Sequence, residues 1–278
     1  MGSTERRLGL EDLPGCLALS AAAGWNQNAA DWRLMLGFGR GWGIALEDGT
    51  LAASTLVLPY DGFAWVAMVL VLPQHRKKGF ATTLLRTSIS FLRKNNKTPI
   101  LDATPAGREV YAREGFRDTW GFKRFSLSQA FSLEGTNARP VLASDWPRIL
   151  ELDRQAFGAS RESVLRDLAS RLPHAAHVAE SGGKLAGFVL GRDGREARQI
   201  GPLVARDGET AKDLFAAALA RTEPPVYADM LDRDPVLSAW IESLGFAFQR
   251  PFTRMVHGAA RAPGDAGLVF CPAGPELG

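Results

Sequence analysis

Apolar and polar positions along the chain switch repeatedly between two periods. Short apolar runs bounded by turn residues predict strands, and apolar residues three and four apart predict helices. In the N-terminal half, helices are predicted over Asp12–Ala23 and Ala29–Leu36. Strands follow over Gly43–Leu46, Leu51–Leu58 and Phe63–Leu72, separated by turns at Asp48-Gly49 and Tyr60-Asp61-Gly62. Leu84, Leu85, Ile89 and Leu92 fall on one face of a helix over Gly79–Asn95. Then come a strand at TPILDAT, a helix at GREVYARE and a strand at FKRFSLS.

The C-terminal half repeats this plan. Helices are predicted at Trp146–Ala156 and Arg161–Arg171, and strands at His177–Glu180, Leu185–Gly191 and Ala197–Leu203. A helix over Glu209–Ala220, a strand over Val226–Leu231 and a helix over Pro235–Leu244 complete it. Two short matches support duplication. Asp12, Pro14, Leu17 and Leu19 map onto Asp145, Pro147, Leu150 and Leu152, and YAREGF (Tyr111–Phe116) maps onto IESLGF (Ile241–Phe246). Each Asp is expected to cap a helix with Pro in its first turn, and each Gly to end one. The chain therefore divides into residues 1–134, residues 135–258 and a Gly/Pro-rich C-terminal tail over 259–278. That tail reads as flexible, with GLVF docking as a short strand.

Composition narrows the class. With 278 residues and 46% hydrophobic content the chain can bury a sizeable core. A net charge of +3 is too mild to imply nucleic-acid binding. Two distant cysteines and no His/Cys spacing point away from disulfides and metal, and towards a cytoplasmic protein. His174 and His177 lack a third ligand nearby in sequence. FAWVAMVLVLP spans only about eleven residues, short of the roughly 20 a membrane helix needs. No apolar segment follows the first charges as in a signal peptide.

The chemistry concentrates in VLVLPQHRKKGFATTLL (Val69–Leu85). A strand feeds a basic turn, and the turn feeds a helix. The first N–H groups of that helix lack partners, and the helix dipole adds partial positive charge. Gly79 lets a ligand approach the backbone, Ala81 keeps the wall low, and Arg76, Lys77 and Lys78 bring full charges. Such a turn suits a pyrophosphate. It is neither a Walker loop nor a three-glycine dinucleotide fingerprint.

The pattern Val71-x-Pro73-x-x-Arg76-x-x-Gly79-x-Ala81, followed by Tyr111-x-x-x-Gly115-Phe116, resembles the GNAT superfamily of acyl-CoA-dependent N-acetyltransferases. The resemblance covers most of residues 1–134. It implies an α/β (α+β) fold of two tandem GNAT-like domains, each with a mixed, mainly antiparallel central sheet flanked by helices. It also implies acetyl-CoA as co-substrate, with no metal. Val69, Leu70 and Val71 would offer backbone groups to the pantetheine arm and acetyl carbonyl. Arg76, Lys77, Lys78, Gly79, Phe80 and Ala81 would hold the pyrophosphate. Thr104 stands where many members carry an Asn that contacts the cofactor. Tyr111 is the catalytic candidate, placed to protonate the departing thiolate.

No carboxylate lies on Phe63–Leu72, so Asp102 and Asp31 are the alternatives for a general base, beside a water chain or an amine that arrives neutral. The stretch GWNQNAADW places Trp25, Asn26, Gln27, Asn28, Asp31 and Trp32 where the family binds its acceptor, with core anchoring the alternative for the two indoles. Trp25, Asn26 and Asp31 are therefore expected to contact a small-molecule amine. In the second unit LVARDGETAKDLF replaces the basic turn and Ile241 replaces Tyr111, predicting a degenerate domain that supports closure, homodimer formation or stability. Residues 1–134 carry 16 basic and 12 acidic side chains against 17 and 18 in the remainder, consistent with an anion site in the first unit alone. A non-catalytic acyl-CoA-binding sensor and a protein-lysine acetyltransferase are the competing readings.

Overall fold

Glycines in the left-handed region end the first helix of each half, at Gly24 (φ +64) and Gly158 (φ +93), and precede the last strand of each, at Gly115 (φ +92) and Gly245 (φ +95). A side chain at φ near these values is strained, so glycine sets the ends of these elements. A computed structural model describes residues 2–129 and 136–278. The expected boundary at 134/135 lies outside the described residues.

The first half runs β1 (Ser3–Leu8), α1 (Leu13–Ala23), α2 (Ala29–Phe38), β2 (Arg40–Leu46), β3 (Leu51–Pro59), β4 (Phe63–Val71), α3 (Phe80–Lys94), β5 (Thr98–Ala103), α4 (Pro105–Arg113) and β6 (Phe116–Leu127). The second runs β7 (Arg139–Pro140), α5 (Trp146–Phe157), α6 (Glu162–Arg171), β8 (His177–Ser181), β9 (Lys184–Arg192), β10 (Arg198–Ala205), α7 (Gly208–Leu219), β11 (Val226–Leu231), α8 (Pro235–Ser243) and β12 (Ala247–His257), followed by β13 (Val269–Cys271). The strand β1, absent from the sequence expectations, pairs with β2 along Ser3–Leu8. Its residues are mostly exposed, so the apolar alternation that marks a half-buried strand is missing.

The duplication extends further than the sequence matches. Asp12 pairs with Arg6 and accepts from the Gly9 N–H; Asp145 pairs with Arg139 and accepts from the Leu142 N–H. Both aspartates thus bond backward into the turn before the helix. Neither caps the helix in the forward direction expected of it.

All strands join one sheet in the order β1-β2-β3-β4-β5-β12-β6-β11-β10-β9-β8-β7, with β13 on β10. Among the described residues only β4–β5 and β10–β11 are parallel pairs. The final strands of the two halves are exchanged: β12 lies between β5 and β6, and β6 lies between β12 and β11. Phe122 of β6 stacks on Phe252 of β12 at 5.0 Å between centroids. Arg124 of β6 makes a buried bidentate pair with Asp229 of β11, at 2.8 and 2.7 Å. The halves are therefore interlocked, not two self-contained sheets.

The C-terminal run is packed where a flexible tail was expected. Val269–Cys271 pairs with β10, the Trp65 indole donates to the Pro275 carbonyl at 2.9 Å, and the Arg161 guanidinium donates to the Gly278 carbonyl. Ala273 and Leu277 join the core that contains Trp32, Trp65 and Phe157. Burial of these apolar side chains offsets the chain entropy that composition alone sets against order. Among the described residues no helix is long and apolar enough to cross a membrane.

Candidate active site

Strand β4 pairs with β5 only at Phe63, Ala64 and Trp65. Beyond Trp65 the two part, β4 continuing along β3 and β5 along β12. The β3–β4 register shifts between Ser54 and Leu56, and Met68 takes φ +52. A left-handed non-glycine residue costs roughly 1–2 kcal/mol. The Ser54 hydroxyl, inside the core, donates to the Met68 carbonyl at 2.8 Å and helps hold this bulge. Bulges re-aim a strand next to functional sites.

The parting strands open a cleft of about 610 Å³. Val69, Leu70, Val71, Arg76, Ala81 and Thr104 line it together with Tyr111. Lys77, Lys78 and Gly79 are exposed on the turn, and Phe80 begins α3; these four do not line the cleft. Gly79 has φ +84, and α3 carries no side-chain cap. The Thr83 N–H bonds the Gly79 carbonyl, so the N–H groups of the first three helical residues have no intrahelical partner. Arg76 stands beside them, its Nε 3.4 Å from the Val71 carbonyl. An uncapped helix start whose second residue, Ala81, lines the cleft, and the Arg76 guanidinium bordering the same cleft, fit a diphosphate. The Thr104 hydroxyl caps α4, accepting from the Gly107 N–H at 3.3 Å.

Tyr111 projects from α4 into both the cleft and the pocket at its end. Its ring packs 6.0 Å from Phe116, and burial pushes its phenol up to about 12. The hydroxyl therefore carries a proton throughout the neutral range.

The surroundings of Asp102 are defined, and two acceptor expectations, for Asp31 and Asn26, are corrected. Asp102 is engaged by Arg254 in a bidentate pair, both contacts 2.9 Å, and Arg254 is held between Trp65 and Trp120 at 4.4 and 3.9 Å. Asp102 also lines the cleft and the inner pocket, and burial pushes its carboxyl above the usual carboxylate range. Asp31 does not face the cleft; it is fully buried between Arg171 and Arg192, at 2.8 and 2.7 Å. Asn26 clasps the loop between β9 and β10, donating to the Ala197 carbonyl and accepting from the Glu196 and Ala197 N–H groups. Asn26 and Asp31 thus join the halves. Of the three expected acceptor contacts, Trp25 alone lines the cleft.

The inner pocket contains residues that the sequence reading did not assign to a site. Those residues are Arg250 of β12 and Glu276 of the C-terminal run; Gln27, from the stretch already expected to bind the acceptor, lines the pocket with them. No local motif links positions this far apart. The exchange of β12 and the docking of the tail bring them together.

Known proteins share this architecture. Residues 17–116 match the model of the acetyltransferase (GNAT) family, and residues 149–271 match that of an acetyltransferase (GNAT) domain. The chain is 21% identical over 243 residues to the uncharacterized N-acetyltransferase YitH of Bacillus subtilis, covering 85% of each. A putative acetyltransferase from Pyrococcus horikoshii has a similar fold, with a TM-score of 0.83 at 19% identity over 100% of this chain and 96% of the other. A tandem GNAT protein from the clavulanic acid biosynthesis pathway superposes with a TM-score of 0.66 at 17% identity, covering 95% of this chain and all of the other. With one family match in each half and the duplicated strand–helix plan between them, the chain belongs to the GNAT superfamily as a tandem member.

Proposed function

We propose that this protein is an acetyl-CoA-dependent N-acetyltransferase acting on the amine of a small molecule, with its active site built on residues 1–134. The observation that carries the reading is the cleft between β4 and β5, lined by Arg76, by Ala81 in the uncapped first turn of α3 and by Tyr111. Acetyl-CoA, when bound, supplies the activated acetyl group as a thioester. Arg76 and the α3 N–H groups bind its diphosphate, and the β4 edge beyond Trp65 offers backbone groups to the extended arm. The amine attacks uncharged and loses its own proton to water as the amide forms, while Tyr111 gives its proton to the departing sulfur and regains one from solvent. No side chain is acylated, because the amine attacks directly in a ternary complex.

The second unit acts as a structural partner that binds no coenzyme. In support, Asp207 occupies the start of α7, accepting from the Thr210 N–H at 2.8 Å, so an anion already sits there. Ile241, at the position matching Tyr111, is fully buried.

Isothermal titration with acetyl-CoA tests the site. Wild type should bind, and Arg76→Glu should bind about tenfold more weakly or worse. Tyr111→Phe should keep that affinity while thiol release with an amine falls by about 10²-fold. Undiminished turnover in Tyr111→Phe would remove its role. Coenzyme binding without thiol release for any amine tried would favour the sensor reading.

A further inference from the structure

The inner pocket adds about 30 Å³ to the cleft, with which it shares Trp25, Val69, Asp102, Tyr111 and Arg250, so a small molecule can extend from one into the other. Gln27 Oε1, Arg250 Nε and Glu276 Oε2 are buried there without a hydrogen-bond partner. Gln27 and Glu276 are each 2% exposed. The other charges at the pocket are engaged: Asp102 with Arg254, Arg124 with Asp229, and the Oε1 of Glu276 with Arg192. Arg250 has no carboxylate within ion-pair distance among the described residues. Its burial, with the nearby Arg124 charge, holds its guanidinium below the ordinary range.

A carboxylate oxygen and an amide oxygen each call for a donor, and a partly buried guanidinium calls for an anion. One compact group supplies both. We infer that this pocket binds the headgroup of a small amino acid, its ammonium on Glu276 Oε2 and Gln27 Oε1 and its carboxylate on Arg250. The proposed acetyltransferase activity makes that amino acid the acceptor: its nitrogen would lie in the pocket that Tyr111 also lines, and the ammonium would first give a proton to water, leaving the neutral amine to attack the thioester while the departing sulfur takes the Tyr111 proton. The binding site itself stands or falls independently of that activity.

The test is calorimetric titration of the full chain, with and without acetyl-CoA. The probes are glycine, L-alanine and L-serine against methylamine, ethylamine and ethanolamine, which lack only the carboxylate. Each amino acid should bind at least about tenfold more tightly than its amine. Arg250→Met should bring each pair within about twofold. The Arg250 side chain donates no hydrogen bond among the described residues, so this variant is expected to fold, and circular dichroism checks that it does. Glu276→Gln should weaken amino acid and amine together. If no amino acid binds under either condition, the pocket holds water alone and the inference is overturned. Equal binding of acids and amines, or unchanged preference in Arg250→Met, overturns it too. Amino-acid binding with no heat from acetyl-CoA would leave the headgroup site standing and remove the acetyltransferase reading.

Discussion

Gly107 stands one helical turn before Tyr111, and its missing side chain shapes the candidate site. A Cβ built there would lie 2.9 Å from Tyr111 Cε2. The backbone would accept alanine, since Gly107 is within α4 and has no left-handed φ. Gly107→Ala should therefore favour the helix by about 0.5–1 kcal/mol while pushing the ring out of place. The expected outcome is an unchanged or raised Tm with a lower kcat and unaltered acetyl-CoA affinity. Thermal melts and steady-state thiol release check it together. A fall in stability with full turnover would mean that the helix shifts in place of the ring.

At the scale of elements, β12 closes the open side of β5 through Asp102 and Arg254. Their bidentate contact is buried, and two indoles cover the guanidinium. Removing one partner of such a pair leaves the other charge stranded, at a cost of about 3–5 kcal/mol. Arg254→Met should lower unfolding free energy by about that amount in urea titration, and Asp102→Asn Arg254→Met together should recover much of it. If the double variant is no better than the single, the pair is not the coupled unit proposed.

This pairing also marks the limit of what the sequence discloses. The helix α3 was legible because Leu84, Leu85, Ile89 and Leu92 repeat at its period, and all are buried. The cleft wall was legible because the residues after Val69 that form it are contiguous. Asp102 looked like a free carboxylate because its partner lies 152 positions away. Asp31 and Asn26 looked like acceptor contacts because the groups they meet, Arg192 and the backbone near Ala197, belong to the other half. Glu276 was hidden by its neighbours: glycine and proline argue for disorder until a core large enough to hold them is known.

For the whole molecule, the exchanged strands make the two halves dependent on each other. Without β12, strand β5 would expose an edge beside the cleft, and the buried pair Arg124–Asp229 would be split between β6 and β11. Unpaired strand edges and stranded buried charges both disfavour a lone half. The pairings of β6 with β11 and β12 are made by residues outside 130–135. A protease site inserted there should yield, on cleavage, two fragments that remain together on size exclusion and retain acetyl-CoA binding. Each fragment expressed alone should be insoluble or unfolded by circular dichroism. Mixing the two under refolding conditions should restore the complex, because the exchanged strands supply each half with the edge partner it lacks. A soluble, cooperatively melting fragment of residues 1–129 that binds acetyl-CoA by itself would show that the exchange is dispensable. The second half would then contribute only the inner pocket residues, Arg250 and Glu276, and the amino-acid preference alone would be lost with it.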